Sequence, residues 1–120
     1  MTHKLSLDAL AREQLQVALG ASSGRSARTV YGGHEHGLRQ TLIALAAGRL
    51  LAEHHNTGEA TVQVLRGRVR MHSNGDCWDG RPGDLLIVPR AAHDVEAVED
   101  AVFLLTITKP GGRRAPAQQT

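Results

Sequence analysis

The sequence predicts an antiparallel β-sandwich or β-barrel preceded by one α-helix. From about residue 28 onward, apolar and β-branched residues fall into about eight short runs separated by turn residues, which is typical of antiparallel all-β folds. One of these turns contains Asn74-Gly75, a strong hairpin signal because a type I′ turn needs positive φ at both central positions. The chain has 120 residues, which is enough for one domain with its own core and hardly enough for two.

The helix is predicted over residues 6–19. Ser6 is a suitable N-cap residue, and Gly20 can end the helix because glycine readily adopts the conformation of a C-terminal cap. One stripe of the helix surface is expected to pack on the sheet that follows. Its residues are Leu7, Leu10 and Val17.

The strands are predicted from the positions of the apolar runs and the turns. They are expected at 28–31, 38–46, 50–54, 60–65, 68–72, 84–88, 94–98 and 102–108. Within 60–65, the alternation of a strand puts Ala60, Val62 and Val64 on one face. That face is smaller and less polar than the other, so we expect it to point into the interior of a barrel.

The composition excludes several kinds of protein. The single cysteine, Cys77, excludes an internal disulfide framework and a zinc site built from several thiolates. No apolar run approaches the ~20 residues that a membrane-spanning helix requires. The amino terminus does not resemble a signal peptide. We therefore expect a soluble, cytoplasmic, single-domain protein.

The sequence pI of 9.2 comes from the last segment of the chain. Without Lys109, Arg113 and Arg114, residues 1–108 contain 11 basic and 12 acidic residues, a formal charge of −1. The chain has one residue each of tryptophan, tyrosine and phenylalanine, too few to form a stacking platform for single-stranded nucleic acid. Both observations argue against nucleic acid as a partner.

Two segments concentrate the residues that could carry chemistry. The first runs from Gly48 through His54 to Gly67, and the second from Gly83 through a proline to His93. Five residues separate Gly48 from His54, and five separate Gly83 from the proline. This frame resembles the two sequence motifs of the cupin superfamily and covers about residues 38–108. The resemblance implies an all-β, antiparallel jelly-roll β-barrel, in agreement with the strand pattern.

The resemblance also implies a metal site that has lost part of its ligands. In cupins that bind metal, three histidines and one glutamate or glutamine converge on a divalent ion inside the barrel. His54 takes the first histidine position and His93 the last, but Asn56 stands at the second histidine and Ala60 at the carboxylate. Glu59 is one residue early, which on a strand points it to the opposite face. Two imidazoles are fewer than the three protein ligands of usual catalytic sites, so a divalent metal (Zn, Fe, Mn or Ni) is expected to be weakly bound or absent.

Other histidines are candidates for completing the ligand set. His34 and His36 would share a face if that segment were extended; the alternative is a turn with solvated histidines. For His54 and His93, the alternative to a bound ion is a pair of cavity histidines held by hydrogen bonds to neighbours.

The expected ligand pocket also includes the start of the long strand 38–46. Whichever of Arg39 and Gln40 faces inward could meet an anionic ligand. The pocket residues are therefore expected to be His54, Asn56, Ala60, Val62, His93 and Arg39. Three acidic residues, Glu96, Glu99 and Asp100, are expected on a solvated turn at the rim.

Three functions are compatible with these residues. The first, which we favour, is a small-molecule-binding module with a degenerate metal site. The second is a metal-dependent cupin enzyme, of dioxygenase or isomerase type, that uses His54, His93 and a non-standard third ligand. The third is a structural or regulatory role in which the helix at 6–19 docks a partner.

The domain organisation and oligomeric state follow from the same resemblance. We expect a helix and loop at 1–26, the cupin barrel at 27–108 and a disordered basic tail at 109–120. Jelly rolls have open sheet edges that must be covered, and many cupins cover them by dimerising through an amino-terminal segment. A homodimer is therefore expected, with residues 28–31 or the helix at the interface.

Overall fold

The computed structural model describes residues 3–53 and 58–109. This part of the chain contains one helix and nine strands. They are α1 (Leu7–Gly20), β1 (Arg25–Gly32), β2 (Leu38–Leu45), β3 (Leu50–Glu53), β4 (Ala60–Arg66), β5 (Val69–Ser73), β6 (Asp76–Gly80), β7 (Leu85–Ile87), β8 (His93–Ala97) and β9 (Ala101–Thr108). The predicted all-β class with one amino-terminal helix is confirmed.

The strands form two antiparallel sheets that face each other. The five-stranded sheet has the order β1-β2-β9-β4-β7, and the four-stranded sheet has the order β3-β8-β5-β6. In each strand, every second side chain points into the space between the sheets, and the side chains of the two sheets pack together there. The buried residues of this interior cluster are Ile43, Leu45, Ala60, Val62, Val64, Val69, Met71, Leu86, Val88, Val95, Ala97, Ala101 and Phe103.

Helix α1 begins at a capped turn. The Ser6 hydroxyl accepts a hydrogen bond from the Ala9 N–H at 3.2 Å, which satisfies one of the free N–H groups of the first turn. The helix ends at Gly20. Both boundaries agree with the prediction within one residue.

The face by which α1 packs on the sheet differs from the prediction. The buried helix residues are Ala11, Gln14 and Ala18, whereas Val17 is 54% exposed. Leu7 and Leu10 are partly buried, as expected for the predicted stripe. The prediction that Val17 packs on the sheet was wrong. Positions 11, 14 and 18 repeat with the helical period, and two alanines allow the helix to approach the sheet closely.

The helix covers the outer surface of the five-stranded sheet. It packs there on a second buried cluster whose sheet residues are Leu42, Ala44, Val102 and Leu104. The Ser26 hydroxyl of β1 also donates a hydrogen bond to the Gln14 carbonyl at 2.8 Å. One face of the five-stranded sheet therefore faces the barrel interior, and the other faces the helix.

Strand β6 was missing from the prediction. It pairs with β5 through the turn at Asn74 and Gly75, whose φ values are 53° and 81°. The expected hairpin is therefore confirmed, but its second strand lacks an apolar run. Asp76, Trp78 and Gly80 of this strand lie on the inner face, opposite Ser73, Met71 and Val69, so Trp78 is its one large apolar residue there.

No helix in the described ranges is long and apolar enough to cross a membrane.

Candidate functional site

The inner face of β4 is the one that the alternation predicts. Ala60, Val62 and Val64 are 7%, 1% and 0% exposed, and all three belong to the interior cluster. Their register partners on β9 are Ile107, Leu105 and Phe103. Ala60 therefore places a methyl group on the inner face at the position that the motif assigns to a metal-binding carboxylate.

The centre of the barrel is packed with apolar side chains. Val62, Met71 and Phe103 are buried and lie in one cluster with residues of both sheets. A close-packed interior of this kind has little free volume. Any ligand site is therefore expected at the ends of the strands, where polar residues begin.

His93 opens β8 at one of these ends. It pairs in register with Ser73 of β5 and with Glu53 of β3, and it has the same parity as the buried Val95 and Ala97. This parity places His93 on the inner face of the four-stranded sheet.

The His93 ring is held in one tautomer. Its Nδ1 lies 2.9 Å from the carbonyl oxygen of Ala91. Because a carbonyl only accepts, Nδ1 must carry the hydrogen, and in the neutral form of the ring the lone pair is then on Nε2. The imidazole therefore offers Nε2 as a hydrogen-bond acceptor or as a ligand atom.

His93 lines a depression of about 380 Å³ beside the β5–β6 hairpin. Its lining residues are His72, Ser73, Asn74, Gly75, Asp76, Cys77, Ala92, His93 and Asp94. The Ser73 hydroxyl is already used, since it donates to the Ala92 carbonyl at 3.0 Å. The depression is open to solvent, and most of the side chains that line it are polar.

The outer face of the same sheet carries a network of ion pairs. His72 Nδ1 lies 2.7 Å from Asp94 Oδ1, and His72 Nε2 lies 3.7 Å from Glu96 Oε1. Glu96 is thus a residue of β8 that faces a histidine, and the expectation that it lies on a rim turn was wrong. Such exposed pairs contribute little to stability.

The second part of this network is built around Asp79. Its carboxylate accepts hydrogen bonds from Arg70 Nε at 2.7 Å and from Arg68 Nε at 2.8 Å. The hydrogen bond from Arg70, aided by Arg68, lowers the pKa of Asp79 to about 2. The side chains of this network are partly exposed on the outer face, so we interpret it as a solvated surface of the sheet.

Arg39 lies on the inner side of β2. The pairing of β2 with β9 runs without a bulge from Leu38 to Leu45, so Arg39 shares its face with Ile43 and Leu45 of the interior cluster. Gln40 lies on the opposite face, where its amide donates to the Thr106 hydroxyl at 3.2 Å. Of the two residues considered from sequence, Arg39 therefore has the inward parity, and its side chain is exposed at the barrel end.

Arg39 lines a second depression, of about 230 Å³. The residues around it are Gly33, His34, Arg39, Ile107, Thr108 and Lys109. None of them lines the depression that contains His93. The structure therefore assigns these two predicted pocket residues to separate depressions.

His34 and His36 lie in the connection between β1 and β2 and are exposed. The His36 N–H donates to the Gly33 carbonyl at 3.2 Å, and the rings of His36 and Tyr31 meet edge to face at 5.5 Å. The Lys109 ammonium donates to the His34 carbonyl. This geometry corresponds to the turn with solvated histidines, although His34 does line the depression at Arg39.

The metal ligands predicted from the motif are not assembled by the described residues. His54 and Asn56 lie outside those residues, at positions 54–57. Glu59 is exposed, and its backbone N–H donates to the Thr108 hydroxyl at 2.9 Å. Within residues 3–53 and 58–109, no three His, Cys, Asp or Glu residues are placed to hold a metal ion. Of the motif positions described, His93 supplies a donor atom and Ala60 does not.

Two residues around Arg39 were missed from the sequence. Ile107 was recognised as part of a strand but not as a pocket residue, and Lys109 was assigned to the tail. The alternation of β9, in which Phe103 and Leu105 precede Ile107 on the same face, is a signal that could have identified Ile107. Nothing in the local sequence indicates that Lys109 returns to the β1–β2 connection.

Comparison with known proteins gives matches of structure only. No protein-family model matches the chain, and no curated protein is significantly similar to it in sequence. A conserved protein of unknown function from Streptococcus pyogenes is 24% identical, with a TM-score of 0.65 over 75% of this chain and 78% of that chain. An RmlC-like cupin protein from Desulfovibrio desulfuricans is 26% identical, with a TM-score of 0.62 over 72% of this chain and 83% of that one.

A larger protein contains a similar unit. A mutant of salicylate 1,2-dioxygenase from Pseudoaminobacter salicylatoxidans is 22% identical, with a TM-score of 0.67 over 85% of this chain but only 32% of that chain. The similar structures thus include both a protein of unknown function and an enzyme, and what they share with this chain is the fold. By its architecture and by these structural neighbours, the chain has the fold of the small cupin β-barrels.

Proposed function

We propose that this protein is a small-molecule-binding module in which the metal site of metal-binding cupins is degenerate. The observation that carries the proposal is the buried methyl group of Ala60 at the carboxylate position of the motif. Its neighbour on β9, Ile107, is also apolar. This part of the inner face therefore favours contact with an apolar part of an organic ligand over coordination of an ion.

His93 supplies a directional polar contact to a ligand in the depression beside the β5–β6 hairpin, which is separate from the depression that Ile107 lines. The hydrogen bond from Nδ1 to the Ala91 carbonyl leaves Nε2 able to accept a hydrogen bond from a hydroxyl or amide group of the ligand. A few fixed polar groups beside an apolar surface are typical of small-molecule sites. We therefore assign His93 a role in orienting a ligand bound in the depression that it lines.

The same hydrogen bond favours one alternative function, a metal-dependent cupin enzyme. Metal-binding histidines commonly donate their second ring N–H to a backbone carbonyl, which orients the other nitrogen toward the ion. His93 has this arrangement. In the alternative, His54, His93 and a non-standard third ligand would hold the ion, which would supply Lewis-acid or dioxygen chemistry when bound.

Metal content distinguishes the two functions. We expect protein purified without an affinity tag to contain far less than one metal ion per chain by inductively coupled plasma mass spectrometry, because the ligand set is incomplete. His93→Ala is expected to leave that content unchanged and to retain the circular dichroism spectrum of the fold. In a thermal-shift screen of small organic molecules, compounds that stabilise the protein are expected to lose their effect in His93→Ala.

The control for this experiment is His3→Ala, which removes an exposed imidazole ahead of the helix. This variant should behave as the unmodified protein in both measurements. One metal ion per chain that is lost in both His54→Ala and His93→Ala would contradict the binding module and support the enzyme.

We also propose that the protein is a homodimer with β1 at the interface. β1 is an edge strand of its sheet, and its inward-parity residues Arg25, Ala27 and Thr29 are exposed. A largely apolar groove of about 320 Å³ lies between β1 and β3 and includes Ile43 and Leu51. A second copy that covers this edge would bury both features.

Sedimentation at micromolar concentration is expected to give twice the 12.9 kDa mass of the chain. Ala27→Lys should shift the protein toward monomer because it places a charge in the groove. Val17→Lys, on the exposed side of the helix, should leave the dimer intact. A monomeric unmodified protein would contradict the proposal, and dissociation by Val17→Lys alone would place the helix at the interface instead.

A further inference from the structure

The depression at Arg39 has features that indicate the class of the ligand. It lies at the end of β2 and β9, where the inner face of the barrel reaches solvent, and its volume is about 230 Å³. Arg39 and Ile107 are direct register partners there. A cationic group and an apolar group thus stand side by side on the inner face.

The guanidinium of Arg39 makes no hydrogen bond or ion pair with any other described residue. Several other arginines of the protein form ion pairs, although Arg81 and Arg90, like Arg39, have none among the described residues. Arg12 contacts Asp8 at 2.9 Å, Arg28 contacts Glu13 at 3.6 Å, and the two arginines of the four-stranded sheet share Asp79. Arg39 differs from the paired arginines because it has inward parity and because no described residue accepts a hydrogen bond from its guanidinium at the barrel end.

A second cation borders the same space. The Lys109 ammonium is held near the β1–β2 connection by its hydrogen bond to the His34 carbonyl, and it has no carboxylate partner among the described residues. Two acidic residues lie on the neighbouring segments, Glu35 in the connection and Glu59 beside Thr108. Neither forms an ion pair with Arg39 or Lys109 in the structure, so both positive charges are available to an anion.

The apolar side of the depression is continuous with the interior. Ile107 is partly buried and packs against the interior cluster, and on its other side it pairs with Ala60 of β4. An apolar group placed on Ile107 would remain beside Arg39. The Thr108 hydroxyl is occupied by the Glu59 N–H, so the other polar side chains of the described lining are those of Arg39, Lys109 and His34.

We infer that the ligand of this protein is a small organic anion, a carboxylate with a compact apolar body. Its carboxylate contacts Arg39, with Lys109 as the second positive charge, and its apolar part lies on Ile107. This inference rests on the proposed function, since it names the class of molecule that the binding module takes. A planar guanidinium matches a carboxylate with two parallel hydrogen bonds, which a neutral amide cannot reproduce.

The test is a titration followed by ¹⁵N-HSQC spectra of the full chain. The probes are cyclohexanecarboxylate and 4-methylpentanoate, each compared with its own neutral amide of nearly the same shape. We expect both carboxylates to shift the backbone amide signals of Arg39, Ile107, Thr108 and Lys109. The two amides are expected to bind at least tenfold more weakly.

Substitutions test whether the positive charge of Arg39 is responsible for carboxylate binding. Arg39→Gln should weaken binding of the carboxylates at least tenfold. Arg39→Lys should retain part of the affinity, because the positive charge remains but the two parallel hydrogen bonds of the guanidinium are lost. The matched control is Arg28→Gln on the helix side of β1, which should bind as the unmodified protein. Dispersed HSQC spectra of all three variants show that they are folded.

The outcomes separate this inference from the proposed function. Equal binding of acids and amides, retained binding in Arg39→Gln, or shifts confined to the residues around His93 would each overturn the anion site while leaving a binding module in place. The absence of binding by both carboxylates would overturn the anion site as well. Failure of the binding module itself would appear in the metal content and in the His93→Ala screen.

Discussion

Phe103→Ala is expected to lower the free energy of unfolding by about 3–5 kcal/mol, the usual cost of truncating a fully buried phenylalanine. Phe103 is 0% exposed and lies on the central strand of the five-stranded sheet. Its register partners, Ile43 on β2 and Val64 on β4, are buried on either side. The cavity would therefore open in the middle of the interior cluster, where neither sheet can easily collapse.

Urea denaturation followed by tryptophan fluorescence measures this loss. Trp78, the single tryptophan, packs against the interior cluster and reports on it directly. The control is Ile87→Ala on the edge strand β7, where the side chain is 65% exposed. It should cost less than about 1 kcal/mol. A Phe103→Ala variant no less stable than Ile87→Ala would show that the barrel interior is not the source of stability.

Gly67→Ala is expected to lower the free energy of unfolding by roughly 2–5 kcal/mol, a large effect for the addition of one methyl group. Gly67 has a φ of +71°, and the left-handed conformation costs other residues about 1–2 kcal/mol. A Cβ atom would also collide with the carbonyl oxygen of Asp100 in the β8–β9 turn, and relief of such a clash costs about 1–3 kcal/mol. Since both groups are backbone, neither can move without shifting a strand.

A second glycine separates these two contributions. Gly75 has a φ of +81°, but a Cβ atom there would have no heavy atom within 4 Å. Gly75→Ala should therefore lose only about 1–2 kcal/mol, from its backbone conformation. Equal losses in the two variants, measured by the same denaturation, would show that the close approach to Asp100 is absent.

The structural role of Gly67 explains why the motif could be recognised from sequence. The last glycine of the first motif, Gly67, is required because two turns come into contact there. Asn74 and Gly75 are suited to the hairpin turn because both positions have positive φ. Local constraints of this kind are visible in a single sequence. They placed most of the strands, and with them the fold class.

Features that depend on partners distant in sequence could not be predicted in the same way. Strand β6 has no apolar run, because its partner β5 supplies most of the buried surface of the hairpin. The exposed position of Val17 follows from where the helix rests on the sheet, which helical periodicity alone does not fix. Both outcomes required knowledge of the packing between elements.

In the candidate site, too, some features follow from local sequence and others depend on residues distant in the chain. The sequence identified His93 from its motif, but its hydrogen bond to Ala91 is a property of the folded loop. The inward orientation of Arg39, rather than Gln40, follows from the register of β2 with β9. Register is set by the whole sheet, so the pairing of Arg39 with Ile107 could not be predicted from the sequence.

The packed centre of the barrel has a consequence for how this protein can change over evolutionary time. The groups on which folding depends lie around Phe103, whereas Arg39 and His93 lie at strand ends and contribute little buried apolar area. Substitutions at these strand ends should therefore alter selectivity at small thermodynamic cost. Residues at the strand ends can therefore be substituted during evolution while the packed interior, and with it the fold, is maintained.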